Sequence, residues 1–360
     1  MFLLFELIQV AFGNKEKLSR EPSDDEWIEL YSMIQEQAIA GVLFMGLDKL
    51  EPHGQKPPLS VLYDWIGQAE LIKTRNREVN KCCVELSYLL EESGFRSCIL
   101  KGQGNARMYP NPLLRTSGDI DVWVDGSREV IRNFVILRCP GAHDGTLHID
   151  FPIFEDMPVE VHYKPGYSIV PKYDKRLQRW FQGQAEMQFT HRVMLDGEEV
   201  CVPTVEFDAV HQMQHMLRHF IVEGIGLRHL IDYYYLMQSL YAENSDTANI
   251  GETFRFLGMD RFASGIMWIE KEILGIDERL LLVPVSERVG RIILEGVMAG
   301  GIFGHYRKEN KERRKSVLRR GLIDAWRMMK IMPVQPREVI YRLMGKIRNV
   351  KSMKEAIGIR

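Results

Sequence analysis

The chain has 360 residues, 45% of them hydrophobic and 27% charged, with a formal net charge of −2, which is ordinary for a soluble globular protein and leaves room for two or three domains or one domain with helical additions. The five cysteines (Cys82, Cys83, Cys98, Cys139 and Cys201) form no C-x-x-C pair, and an odd count at these spacings argues against a disulfide framework and against a cysteine zinc site; a reducing cytoplasmic location is expected. No apolar run reaches the roughly 18 residues of a membrane-spanning helix.

The opening MFLLFELIQVAF carries Glu6, has no basic start and lacks a small-residue cleavage site, so it reads as a packed helix rather than a signal peptide. Ser23 followed three residues later by Glu26 is a capping box, and the helix it starts carries Trp27, Ile28, Leu30 and Tyr31. Past the turn-rich EPHGQKPP, apolar residues from Leu62 to Leu90 recur with a period near 3.6, interrupted at Arg75 and Asn76. Gly94 offers a helix C-cap.

From Ser97 the pattern changes. Ser97–Leu100 reads as a short strand, Lys101 to Gly104 as a turn, and Asn105–Tyr109 as a helical piece ended by Pro110 and Pro112. In RTSGDIDVWV, period-two alternation puts Asp119 and Asp121 on one face and Ile120, Val122 and Val124 on the other. Two carboxylates roughly 6–7 Å apart on one face repel each other. A divalent cation relieves this, and Mg2+ (or Mn2+) is held by just such carboxylates together with substrate phosphates. A solvent-facing edge strand is the alternative.

Thr146–Phe151 and Pro158–Tyr163 alternate around FEDM and read as a β-hairpin. Its second strand puts Glu160 and His162 on one face. If that strand neighbours the aspartate strand, Glu160 completes a cluster with Asp119 and Asp121, as a metal ligand or a proton acceptor; otherwise Glu160 and His162 form a surface pair. Lys101 and Gly102, at a strand-to-helix turn, and Arg115 and Ser117, just before the aspartates, are candidates for binding nucleotide phosphates. A turn at Asp196-Gly197 suggests a second hairpin, and Thr204 caps a long helix through His219. His211, His215 and His219 line one side of that helix. Without the glutamate of H-E-x-x-H they are expected to pack against the core rather than bind zinc, with His162, His215 and His219 supporting the site from behind. Asp232, four residues after Arg228, is expected to pair with it along the helix.

LKGQGNARMYPNPLLRTSGDIDVWV resembles the signature of the uncharacterised nucleotidyltransferase family within the polymerase-β-like nucleotidyltransferase superfamily. The matching positions are Leu100, Lys101, Gly102, Tyr109, Pro110, Arg115, Asp119, Ile120 and Asp121; Glu160-Val-His162 and Gly226 to Asp232 resemble two later elements of the family. Where the wider superfamily has G-[GS], this chain has Lys101-Gly102. The resemblance spans roughly residues 85–240. It implies a Mg2+-dependent transfer of a nucleoside monophosphate from an NTP to an acceptor with release of pyrophosphate, Asp119 and Asp121 serving as metal ligands and Glu160 as the third acid.

The expected fold is α+β: a small mixed β-sheet nucleotidyltransferase core with helical N-terminal and C-terminal segments. The expected parts are an N-terminal helical segment (1–96), the α/β core (97–202), a helical domain (203–305) and a basic helical segment (306–360). That last segment carries 17 Lys and Arg against 5 Asp and Glu, leaving 30 against 44 in the remainder. Its charges intersperse with Leu318, Ile323, Trp326, Ile331 and Leu343 at helical spacing, as on a solvated helix face, and a phosphate-rich partner is the other reading. The acceptor is not legible; protein, metabolite, sugar and RNA all fit. A non-catalytic nucleotide sensor or partner-binding protein on the same fold, or an antitoxin-like enzyme modifying a partner protein, are the alternatives.

Overall fold

The computed structural model describes residues 2–300 and 325–345. Helices α1 (Phe2–Phe12), α2 (Asp24–Glu36), α3 (Ala40–Phe44), α4 (Leu47–Leu50) and α5 (Leu59–Glu92) precede the first strand, β1 (Ser97–Leu100). The short α6 (Gly102–Ala106) leads to β2 (Ile120–Val124), α7 (Arg128–Arg138), β3 (His148–Asp150) and β4 (Val159–His162). Then come α8 (Pro171–Gln188), the pair β5 (Arg192–Leu195) and β6 (Glu198–Cys201), and helices α9 (Val205–Val222), α10 (Leu227–Ala242), α11 (Thr247–Leu257), α12 (Asp260–Glu272) and α13 (Glu287–Gly300). The architecture is α+β.

Local signals act where the sequence places them. Ser23 accepts from the Glu26 amide while Glu26 accepts from the Ser23 amide, closing the capping box of α2. Thr204 accepts from the Phe207 amide at the start of α9. Asp196 and Gly197, both at positive φ, turn β5 into β6, the geometry that a two-residue hairpin loop requires. The five cysteines are unpaired. Helix α5, by contrast, runs unbroken through Arg75 and Asn76. Asn76 belongs to the buried stripe: its amide donates to the carbonyls of Ile72, Leu113 and Arg115, so a polar residue in an apolar row ties the helix to the segment that enters β2. The sequence reading contained neither α7, capped by Ser127, nor α8.

The strands form a sheet of order β1-β2-β4-β3. β1 runs antiparallel to β2, β2 parallel to β4, and β3 antiparallel to β4, so the expected hairpin forms and its second strand lies beside the aspartate strand. Parallel neighbours need a crossover connection, and α7 supplies it. Every residue of β2 is buried, because both sheet faces are covered. On one face Ile99, Ile120, Val122, Val124, Val159 and Val161 pack with the C-terminal half of α5 and with Ile131, Phe134 and Val135 of α7. On the other face Cys98, Leu100 and Trp123 join the larger core shared by α1, α2, α9, α10, α12 and α13. Trp123 packs at 4.6 Å from Phe189 and 5.9 Å from Phe207, contacts worth about 0.5–1.5 kcal/mol each beyond their burial. Asp121 and Glu160 share this second face.

Of the basic segment, residues 325–331 and 336–345 are helical. Met328, Ile331, Val334 and Val339 enter the larger core, while Trp326 stays half exposed. Arg327 donates to the carbonyls of Phe220 and Val222, and Arg342 to that of Val222, so two of its cations close the C-terminal end of α9. Leu318, Ile323 and most of the remaining positive charge lie outside the described residues.

No helix among the described residues is long and apolar enough to cross a membrane.

Candidate active site

A cavity of about 420 Å³ opens between the sheet and helices α9 and α10. Its sheet wall carries Asp119, Asp121 and Glu160. Register decides this: Asp121 is the direct partner of Glu160 across β2 and β4. One carboxylate oxygen from each of the three lies within 4.8 Å of the others.

The three carboxylates differ in their surroundings. Burial alone would raise Asp121, but Lys101 Nζ at 2.8 Å from Oδ2 and His162 Nε2 at 2.7 Å from Oδ1 overcome it and hold this carboxyl well below the usual range. Asp119, exposed at the cavity mouth, is pushed above its ordinary value by the Asp121 charge and then by its enclosure, which Lys101 offsets in part. Burial also works against ionised Glu160, yet His148 at 2.9 Å and His162 at 3.3 Å from Oε2 bring it down to about 2. His162 is buried; the loss of water would lower its pKa, and the two carboxylates beside it raise it instead.

Lys101 reaches Asp121 through an unusual backbone. It sits at φ 50°, ψ −135°, followed by Gly102 at φ 39°, and consecutive positive φ values let β1 turn straight into α6 with the lysine aimed across the cavity. A non-glycine residue held there is strained, as functional sites often require. Lys101 Nζ also donates to His215 Nδ1 at 3.4 Å.

The helical wall carries two arginines and three histidines. Arg218, His215 and His219 come from α9 and Arg228 and His229 from α10, and all line the cavity. Burial holds His215, His219 and His229 below the ordinary imidazole value, with Lys101 adding to the effect on His215 and Arg228 to that on His229. Arg218 donates to His219 Nε2 at 2.6 Å, and His219 Nδ1 donates to Glu223 at 2.9 Å. His211 lies outside the cavity, where its Nε2 donates to the Pro165 carbonyl.

Arg115 and Arg228 exchange the partners expected of them. Arg115 turns its fork onto Asp232, Nε to Oδ1 at 2.7 Å and Nη2 to Oδ2 at 2.8 Å, and Tyr109 donates to the same carboxylate at 2.6 Å. The helical Arg228–Asp232 pair therefore does not form. Arg228 instead donates to the Thr116 carbonyl at 3.2 Å, with its guanidinium close to Gly118, next to Asp119. No carboxylate lies within 4 Å of it among the described residues. Burial and the Arg115 charge lower its pKa. Ser117 is half buried and is not part of the cavity lining.

Arg218, Arg228 and His148 are among the cavity residues absent from the sequence-based candidates. For Arg228 the signal was present in Gly226 to Asp232, but a helical pairing hid it. For His148 it was the alternation of Thr146–Phe151, without the register that sets it opposite His162.

The donor set fits a divalent cation: three hard oxygens converge, one of them on a carboxyl raised by its neighbour's charge, a repulsion that a cation removes. Across the cavity these carboxylates face the guanidinium groups of Arg218 and Arg228. A family model described as uncharacterised nucleotidyltransferase matches residues 23–275, more than half of the sequence, and the chain belongs to that family. A solved structure, an antigenic nucleotidyltransferase-like protein from Paracoccidioides brasiliensis, is similar over 45% of this chain and 76% of that one, at 14% identity and a TM-score of 0.31. No curated protein matches in sequence.

Proposed function

We propose that the protein transfers a nucleoside monophosphate from an NTP to an acceptor and releases pyrophosphate, using Mg2+ (or Mn2+) held by Asp119, Asp121 and Glu160. The observation that carries this reading is the convergence of those three carboxylates opposite Arg218 and Arg228. When bound, the metal neutralises the phosphate oxygens and orients the attacking and leaving groups. Glu160, at about 2, is better suited to holding a cation than to accepting a proton. Arg228 and Arg218 stand where they can meet the triphosphate, and Lys101, paired with Asp121, would lie beside a cation held there. Ser117 is left without a contact role. Arg115 acts indirectly by fixing the segment that carries Asp119. Nucleotidyl transfer needs positioning and charge neutralisation more than covalent help, and this cavity offers both. The five unpaired cysteines agree with a cytoplasmic setting. The division of the chain at residues 96, 202 and 305 remains part of this proposal.

The test is label transfer. With Mg2+ and a cell extract as the source of acceptors, label from an α-phosphate-labelled NTP should appear on an acceptor and pyrophosphate should be released, with Asp119→Asn and Asp121→Asn each reducing transfer by at least about 100-fold. Transfer of γ-phosphate label instead, or none by the wild-type protein, would overturn the proposal.

A further inference from the structure

The sheet wall carries a second set of convergent donors that the transfer reaction does not require. His148 and His162 are direct partners across β3 and β4, and Glu160, two residues before His162, shares their face. One donor atom from each lies within 4.8 Å of the others. Both imidazoles approach a single oxygen, Glu160 Oε2: His148 Nδ1 at 2.9 Å and His162 Nε2 at 3.3 Å. His148 Nδ1 is not aligned to hydrogen-bond that oxygen and has no other partner among the described residues. Its outer nitrogen, Nε2, faces Asp150, whose Oδ1 lies 3.6 Å away, beyond hydrogen-bond distance.

We propose that His148, Glu160 and His162 form a site for a divalent first-row transition ion of the Zn2+ or Co2+ kind, distinguished from the three-carboxylate set by its two imidazole donors and sharing Glu160 with it. Two imidazole nitrogens and one carboxylate favour such an ion over Mg2+, which prefers oxygen donors. This site meets the nucleotidyltransferase reading through Glu160 and through His162, which bonds Asp121.

Cobalt absorption reads this site directly. The full-length, metal-stripped protein in millimolar Mg2+ should bind one equivalent of Co2+ with the visible bands of nitrogen ligation. His148→Ala should weaken that binding at least about tenfold, while Asp119→Asn should leave the bands in place. Should His148→Ala fail to fold, as judged by circular dichroism, His148→Gln is measured to the same criteria. Co2+ that Mg2+ displaces completely from the wild type, binding that the His148 substitution leaves unchanged, or bands that vanish in Asp119→Asn would each overturn the site. Nucleotide binding by the wild-type protein in Mg2+ alone is a separate measurement, so failure of either reading is distinguishable from failure of the other.

Discussion

Glu270 sits on α12 at 0% exposure, and neither of its carboxylate oxygens has a hydrogen-bond partner among the described residues. Burial pushes its carboxyl far above the ordinary 4.5, favouring the neutral acid in the folded protein. Its contribution to folding is complete below the unfolded value and is lost as pH rises towards the folded one. Glu270→Met, of similar volume and apolar, should raise the Tm by about 2–4 °C at pH 8 and by less at pH 5. Thermal melts at the two pH values check this; an equal gain at both would show that the carboxyl is not carrying the cost. Arg228 belongs to the cavity instead. Removing its charge should weaken NTP binding about 10- to 100-fold, since hydrogen bonds to charged groups are worth about 1.5–3 kcal/mol. Calorimetric titration of Arg228→Gln with NTP measures it, and unchanged affinity would take Arg228 out of the phosphate contacts.

Among the elements, the join between the segment entering β2 and helix α10 sets the position of Asp119. Asn76 of α5 holds that segment by two of its carbonyls, and the Arg115–Asp232 pair ties it to α10. Breaking a buried ion pair leaves one charge uncompensated and costs about 3–5 kcal/mol, whereas replacing both partners costs much less. Arg115→Met and Asp232→Leu should therefore each destabilise by that amount, and the double variant by clearly less than their sum, in a denaturant-based cycle; strict additivity would show that the two do not act as a unit. The elements legible in the sequence are those whose signals are local: the Ser23–Glu26 box, the Thr204 cap, the Asp196-Gly197 turn and the alternation around Asp119 and Asp121. Asn76, Arg115 and His148 were misread or missed for the opposite reason. Their partners lie 37 to 39, 117 and 14 residues away, and the long connection between β3 and β4 carries no turn type that would fix a register. A helical i, i+4 pairing is the natural reading of Arg228 and Asp232 until a second arginine competes for the same carboxylate.

On the scale of the molecule, the sheet divides two apolar cores, and the cavity opens where the larger core gives way to polar side chains on both sides. The N-terminal helices take part in this arrangement: Gln37 accepts from the Leu227 amide at the start of α10 and donates to Val297 of α13, and Phe12 stacks on Tyr234 at 4.2 Å. Residues on both sides of the α/β core in sequence thus support the helical wall that faces the carboxylates. In the proposed reaction those two walls meet one ligand, a metal-bound NTP. The most direct measurement is calorimetric titration of the full-length protein with each NTP, with and without Mg2+, alongside Asp121→Asn. Saturable binding of at least one NTP that strengthens at least about tenfold with Mg2+ and loses that gain in Asp121→Asn is the predicted result; nucleotide binding indifferent to both the metal and the substitution, or no binding of any NTP, would contradict it.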